Sequence, residues 1–182
     1  MVYDVFISYR CEGGFDTAKH LNDLLVHDHY AVSFDIDTLR EGDFDEALFK
    51  RIEQCRDFLV IVDKHAFDRM INPAPDYDPE KDWMRKEIAY ALKLKKNIVS
   101  ILLTGASYPA KLPPDLDRLD TKNGPEYSKG YFDSFYDKLK SFLYSAPRNF
   151  GPTIDPKKKL RIGRGGAEKD IESDRKWLIV HY

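Results

Sequence analysis

The segment Phe58-Leu59-Val60-Ile61-Val62 constrains this chain more than any other. Five consecutive apolar residues leave no side for water, which is the pattern of a parallel strand covered by helices on both faces; a strand with one wet face would alternate. The rest of the chain supplies the neighbours such a strand needs. Val2 to Tyr9 is rich in β-branched and aromatic residues and predicts a first strand, ending in a polar, glycine-bearing turn from Arg10 to Gly14. Phe15, Ala18, Leu21, Leu24 and Leu25 recur at helical spacing. Ala31 to Phe34 predicts a second strand, and Phe44, Ala47, Leu48 and Ile52 a second helix. After the apolar run comes a loop with Pro73, Pro75 and Pro79, then a helix from Asp82 or Trp83 to about Lys95. Ile98 to Leu103 reads as a fourth strand. Thr104 to Pro125 reads as a long loop with room for a short edge strand, and Phe132, Phe135, Leu139, Phe142 and Leu143 mark a last amphipathic helix.

Strands alternating with helices predict an α/β domain, flavodoxin-like, with a four- to five-stranded parallel sheet and helices on both faces. In the order 2-1-3-4-5, ligands sit beyond the carboxyl ends of the strands, where the order reverses between strands 1 and 3. Three segments reach that edge: Ser8-Tyr9-Arg10, Phe34-Asp35-Ile36-Asp37, and Trp83 to Glu87. Trp83 and Glu87 are one helical turn apart, and Glu87 falls at the margin of the stripe formed by Met84, Ile88, Ala91 and Leu92. Spacing alone favours the plainer reading, a boundary glutamate and a core tryptophan.

Resemblance adds to this. Tyr3 to Tyr9 resembles the opening box of TIR domains, and Phe34-Asp35-Ile36-Asp37-Thr38-Leu39-Arg40-Glu41-Gly42-Asp43-Phe44 resembles their second box with its following loop. Asp82-Trp83-Met84-Arg85-Lys86-Glu87-Ile88 resembles the W-x-x-x-E segment of TIR domains that cleave NAD+, among them an animal axon-degeneration enzyme and bacterial anti-phage proteins. The likeness covers residues 1–143. It implies Glu87 as the catalytic carboxylate, at the hydroxyls of the nicotinamide-side ribose. It further implies Tyr9, Phe44 and Trp83 as ring-binding walls, Arg10 at the phosphates, and Phe34, Asp35, Asp37 and Leu39 as further substrate contacts. NAD+ would be a substrate, with no cofactor and no metal. The implied product is linear, cyclic or conjugated ADP-ribose, formed in anti-phage immunity and sensed by a downstream effector. Partners would be other TIR protomers, with the loop from Asp37 to Phe44 of one completing the pocket of the next. The second reading of the same resemblance is a non-catalytic scaffold that signals by TIR-TIR assembly. Arg40 stands where the axon-degeneration enzyme has an acidic residue, which bears on substrate contacts through the loop.

Other motifs carry less. No G-x-G-x-x-G follows the first strand, so a dehydrogenase-type dinucleotide site is unsupported. Asp63 and Thr104 fit a phosphoacceptor receiver domain, but such a site needs an acidic pair after strand 1, where this chain has Arg10. His20, His27 and His29 read as surface residues, Asp76 and Asp78 as loop-forming acids, and Cys11 and Cys55 as free thiols. No apolar run approaches the roughly 20 residues of a membrane helix, and the chain begins without a signal-peptide core, so the expected location is cytoplasmic, with no membrane partner.

The net charge of -2 conceals an asymmetry. Nine of the 29 Lys/Arg but five of the 31 Asp/Glu lie from Ser145 onward. Residues 1–144 are therefore acidic, which disfavours nucleic acid as a ligand of the core, and residues 145–182 form a basic extension. Its Trp177-Leu178-Ile179-Val180 is too apolar to stay in water, and is expected to dock back on the domain or on a partner.

Overall fold

The computed structural model describes residues 2–34 and 44–148, with the backbone alone for residues 44 and 45. Among these residues four parallel strands form one sheet in the order β2-β1-β3-β4: β1 is Val5–Ser8, β2 Val32–Ser33, β3 Asp57–Val62 and β4 Asn97–Leu102. Val5 pairs with Val32 on one side and Asp57 on the other, and Asp57 with Asn97. The principal helices among the described residues are α1 (Cys11–His27), α2 (Phe44–Gln54), the short α3 (Asp68–Ile71), α4 (Trp83–Lys93) and α5 (Phe132–Phe142).

The apolar run does what its composition requires. Every residue of β3 is buried, and alternate residues feed two separate cores. Phe58, Val60 and Val62 pack with Leu48 and Ile52 of α2 and Met84, Ile88 and Ala91 of α4. Leu59 and Ile61 pack with Ala18, Leu21 and Leu25 of α1 and Phe135 and Leu139 of α5. Each such side chain contributes roughly 1.5–3 kcal/mol by leaving water, so a helix on either face is held chiefly by its apolar stripe.

Two local expectations differ from the structure. The glycine-bearing turn from Arg10 to Gly14 is instead the first turn of α1, which begins at Cys11. Its glycines serve close packing: a Cβ on Gly13 would lie 2.7 Å from the Asp63 carboxyl carbon, just beyond β3. A glycine that marks close backbone approach looks in sequence like one that marks a turn. Between Thr104 and Pro125 the described residues contain no strand, only a 3-10 turn at Pro114–Leu116. The loop presses on the edge strand, since a Cβ on Gly124 would come within 1.8 Å of the Ser100 carbonyl oxygen.

Residues 145–148, assigned above to the basic extension, are tied to the amino-terminal edge of the sheet. Ser145 N–H donates to Asp57 (2.8 Å), Arg148 N–H to the His29 carbonyl (2.9 Å), and the Arg148 guanidinium pairs with Asp4 (2.7 Å). The expected docking of Trp177 lies outside the described residues.

Candidate active site

The carboxyl edge of the sheet is where β1 and β3 hand over to α1 and to the loop before α4, and the side chains there form one connected set. Glu87, half-buried on α4, accepts a 2.6 Å hydrogen bond from the Ser8 hydroxyl at the end of β1. The margin position read from helical spacing is thus real: Met84, Ile88 and Ala91 are buried, and Glu87 lies beside that stripe.

The start of α4 is fixed by Asp82. Its carboxylate accepts from the Arg85 N–H (3.2 Å), an N-cap that satisfies one of the helix's unpaired donors. The other oxygen takes the Arg10 guanidinium (2.7 Å) and the Tyr77 hydroxyl (3.0 Å). Arg10 also donates from Nε to the Ala66 carbonyl (2.7 Å). This ion pair is sheltered, with side chains 12% and 3% exposed, so it is screened little by solvent. Arg85 makes a bidentate pair with Asp115, both contacts 2.8 Å, which ties α4 to the loop after β4 and holds the Asp115 carboxyl below its ordinary pKa.

Beside this set opens a cavity of about 850 Å³ whose walls include Tyr9, Arg10, Cys11, Asp82 and Trp83. Tyr9 stacks on Phe34 at 5.3 Å between ring centroids, and Phe15 leans on both. Trp83 keeps 36% of its surface exposed, with the Lys86 ammonium 4.5 Å above its ring. Tyr9, Arg10 and Trp83 therefore share one cavity, and Phe34 joins through Tyr9. Glu87 is not among the cavity's wall residues; it stands one helical turn beyond Trp83, at Ser8. Arg10, expected at phosphates, lines the cavity while giving Nε and Nη2 to Ala66 and Asp82. Asp35, Asp37 and Leu39 lie outside the described residues, as does the Phe44 side chain.

Ser8 and Asp82 fall within the segments that the sequence brings to this edge, but with no role of their own there, and Phe15 is a helix residue in sequence alone. An aspartate directly before a helix is an N-cap signal, so Asp82 was findable. A serine closing an apolar strand is a weaker one, because its partner is 79 residues away. The receiver-domain features do not assemble. Asp63 is 8% exposed, its Oδ1 accepts the His65 N–H (2.7 Å), and α1 lies against it at Gly13, while Thr104 is exposed. Asp78 caps the 3-10 turn before α4 by accepting the Glu80 N–H, in keeping with its reading as a loop-forming acid. Cys11 is exposed, Cys55 is buried, and both are free thiols.

A parallel flavodoxin-like domain with its charged and aromatic residues gathered at the carboxyl edge between β1 and β3 is a class with many functions. The TIR domain family model matches residues 5–139, and the chain belongs to that family. It is 32% identical over 153 residues to the NAD(+) hydrolase tir-1 of Caenorhabditis elegans, covering 82% of this chain and 15% of that protein. With the NAD(+) hydrolase sarm1 of Drosophila melanogaster it shares 34% over 142 residues, 77% of this chain and 10% of the relative. The chain thus spans only a small part of the length of these relatives. Among solved structures, a metazoan TIR-STING receptor from C. gigas superposes with a TM-score of 0.53 at 18% identity, over 78% of this chain and 40% of that one. That likeness concerns the fold. No helix among the described residues is long and apolar enough to cross a membrane.

Proposed function

We propose that this chain cleaves NAD+ at the bond between nicotinamide and ribose, with Glu87 as the catalytic carboxylate. The observation that carries the reading is a half-buried glutamate held by Ser8 at the carboxyl edge, one turn after a partly exposed tryptophan in a cavity wall. The names of relatives from two animals, both NAD(+) hydrolases, support it.

The chemistry asks little more of the protein. When the bond from ribose C1′ to the pyridinium nitrogen breaks, its electron pair stays with nicotinamide, which leaves neutral and needs no acid to protonate it. Positive charge develops on the ribose, and a fixed carboxylate stabilises that charge and orients the sugar hydroxyls. Water, an atom of the substrate's own adenine, or another acceptor then closes on C1′. In this reading NAD+ is the substrate and no cofactor takes part. Tyr9 and Trp83 hold flat rings, the product serves as a signal or NAD+ is depleted in anti-phage defence inside the cell, and assembly with further copies through the loop 37–44 completes the pocket.

The test is release of nicotinamide from NAD+ by the purified protein, assayed up to concentrations that drive self-association. Glu87→Gln keeps shape and removes charge, so turnover falls by about 10² or more while the melting temperature stays within a few degrees. Full turnover by that variant removes Glu87 from its role. Release by neither protein at any concentration, with self-association intact, leaves the scaffold as the function.

A further inference from the structure

We propose that Ser8 is a positioning residue for the reaction, its hydroxyl locking the Glu87 carboxylate in the orientation that faces the sugar. The proposal rests on the assignment of Glu87 above. Ser8 is the last residue of β1, in register with Val60 at the centre of the sheet, and is 1% exposed. Its backbone cannot shift without breaking the ladder to β3. The three residues before it, Val5, Phe6 and Ile7, are all apolar and buried, so a hydroxyl here departs from the strand's composition. A buried hydroxyl is unfavourable unless bonded, and the partner it has is the Glu87 oxygen at 2.6 Å.

Glutamate needs such a device. It has three side-chain torsions, the last of them broad, so a carboxylate at the margin of a helix samples many directions. Preorganised groups gain catalytic power because they need not be ordered when charge develops. A donor on a rigid strand fixes the oxygen it bonds and, with it, the plane of the carboxylate. The helix end is fixed independently, through Asp82 and Arg10, so backbone and side chain of the glutamate are held by different elements.

Ser8→Thr and Ser8→Val have the same shape and differ only in the hydroxyl, so comparing them separates the hydrogen bond from packing. The threonine variant is expected within about threefold of the parent. The valine variant loses about ten- to a hundredfold in kcat, the scale of one hydrogen bond to a charged group, with KM little changed. The melting temperatures of the two differ by no more than a few degrees. Ser8→Ala, which adds no volume, follows the valine variant. In the Glu87→Gln background, Ser8→Val produces no further loss, because the hydroxyl acts only through that carboxylate. Equal turnover by the threonine and valine variants overturns the proposal, as does a valine effect of the same size in the Glu87→Gln background. If Glu87→Gln is itself fully active, the catalytic assignment has failed and this inference falls with it. If Glu87→Gln is inactive and Ser8→Val is not, only the inference has failed.

Discussion

The two ends of the sheet bind their carboxylates by similar means and put them to different uses. At the amino-terminal edge Asp57 is fully buried, and its two oxygens accept the Tyr144 and Ser145 N–H groups and the Asn97 side-chain amide, at 2.6–2.8 Å. Asp4 is used in the same way by the Ala31 N–H and Arg148. Both carboxylates are met largely by backbone donors or by arginine, and together they hold the start of β1 and the segment after α5. At the carboxyl edge Glu87 is half-buried, Asp82 lines an open cavity, and one oxygen of Asp63 has no hydrogen-bond partner among the described residues. Asp57 and Asp4 tie chain segments together, whereas Asp82 is held as firmly by Arg10, Tyr77 and the Arg85 N–H and stands in the wall of a cavity.

This contrast is broken most severely by Asp57→Ala. Three donors lose their acceptor, two of them backbone groups, and unfolding free energy is expected to fall by about 3–5 kcal/mol. Nicotinamide release per folded molecule should be unchanged. Denaturant titration alongside the assay checks both, and a large loss of turnover in the folded fraction would show that the two edges are coupled.

Arg10→Ala lies between the extremes, since it breaks a sheltered ion pair and leaves Asp82 with Tyr77 and the cap. A cost of about 3 kcal/mol is expected, together with reduced turnover. If Arg10 acts by fixing α4 through Asp82, Asp82→Asn produces a similar loss and the double variant adds little to either. Additive losses in turnover would assign Arg10 a separate contact with substrate.

The smallest effect belongs to Asp115, whose side chain is 39% exposed. Its carboxyl is held below the ordinary value by its hydrogen bonds with Arg85, against the opposing effect of burial. A depressed folded-state pKa contributes stability above the unfolded-state value, and that contribution is lost as pH falls through the folded-state value. Asp115→Asn is therefore expected to lower the melting temperature slightly at pH 7, by no more than about 1 kcal/mol of stability after solvent screening, with the difference closing on acidification. A difference that stays constant with pH would mean that packing rather than charge is responsible.

Much of this was legible without coordinates, for reasons that are local or nearly so. The unbroken apolar run of β3 called for a covering layer on each side, and two cores now lie on those two sides. The four-residue spacing of Trp83 and Glu87 put both near the start of one helix, and the order of strands and helices put that start near Tyr9 and Arg10. What misled was chemistry with two meanings. Gly13 and Gly14 read as a turn and are helix packed on Asp63, because a missing Cβ serves either purpose. Arg10 is a different case: its guanidinium, which fits a carboxylate as well as a phosphate, pairs with Asp82 in the cavity wall, and its place at phosphates stays a proposal.

The sequence by itself determined the sheet, the two covering layers, the edge that carries the candidate site and the family, since each rests on residue periodicity or on adjacent residues within a segment. Only the tertiary structure decided which side chains hold which. Ser8 meets Glu87 across 79 residues and Arg10 meets Asp82 across 72. Nothing in either neighbourhood announces the other, because a hydrogen bond between distant residues is fixed by the packing of the elements that carry them, and that packing is settled by buried area on faces away from the site.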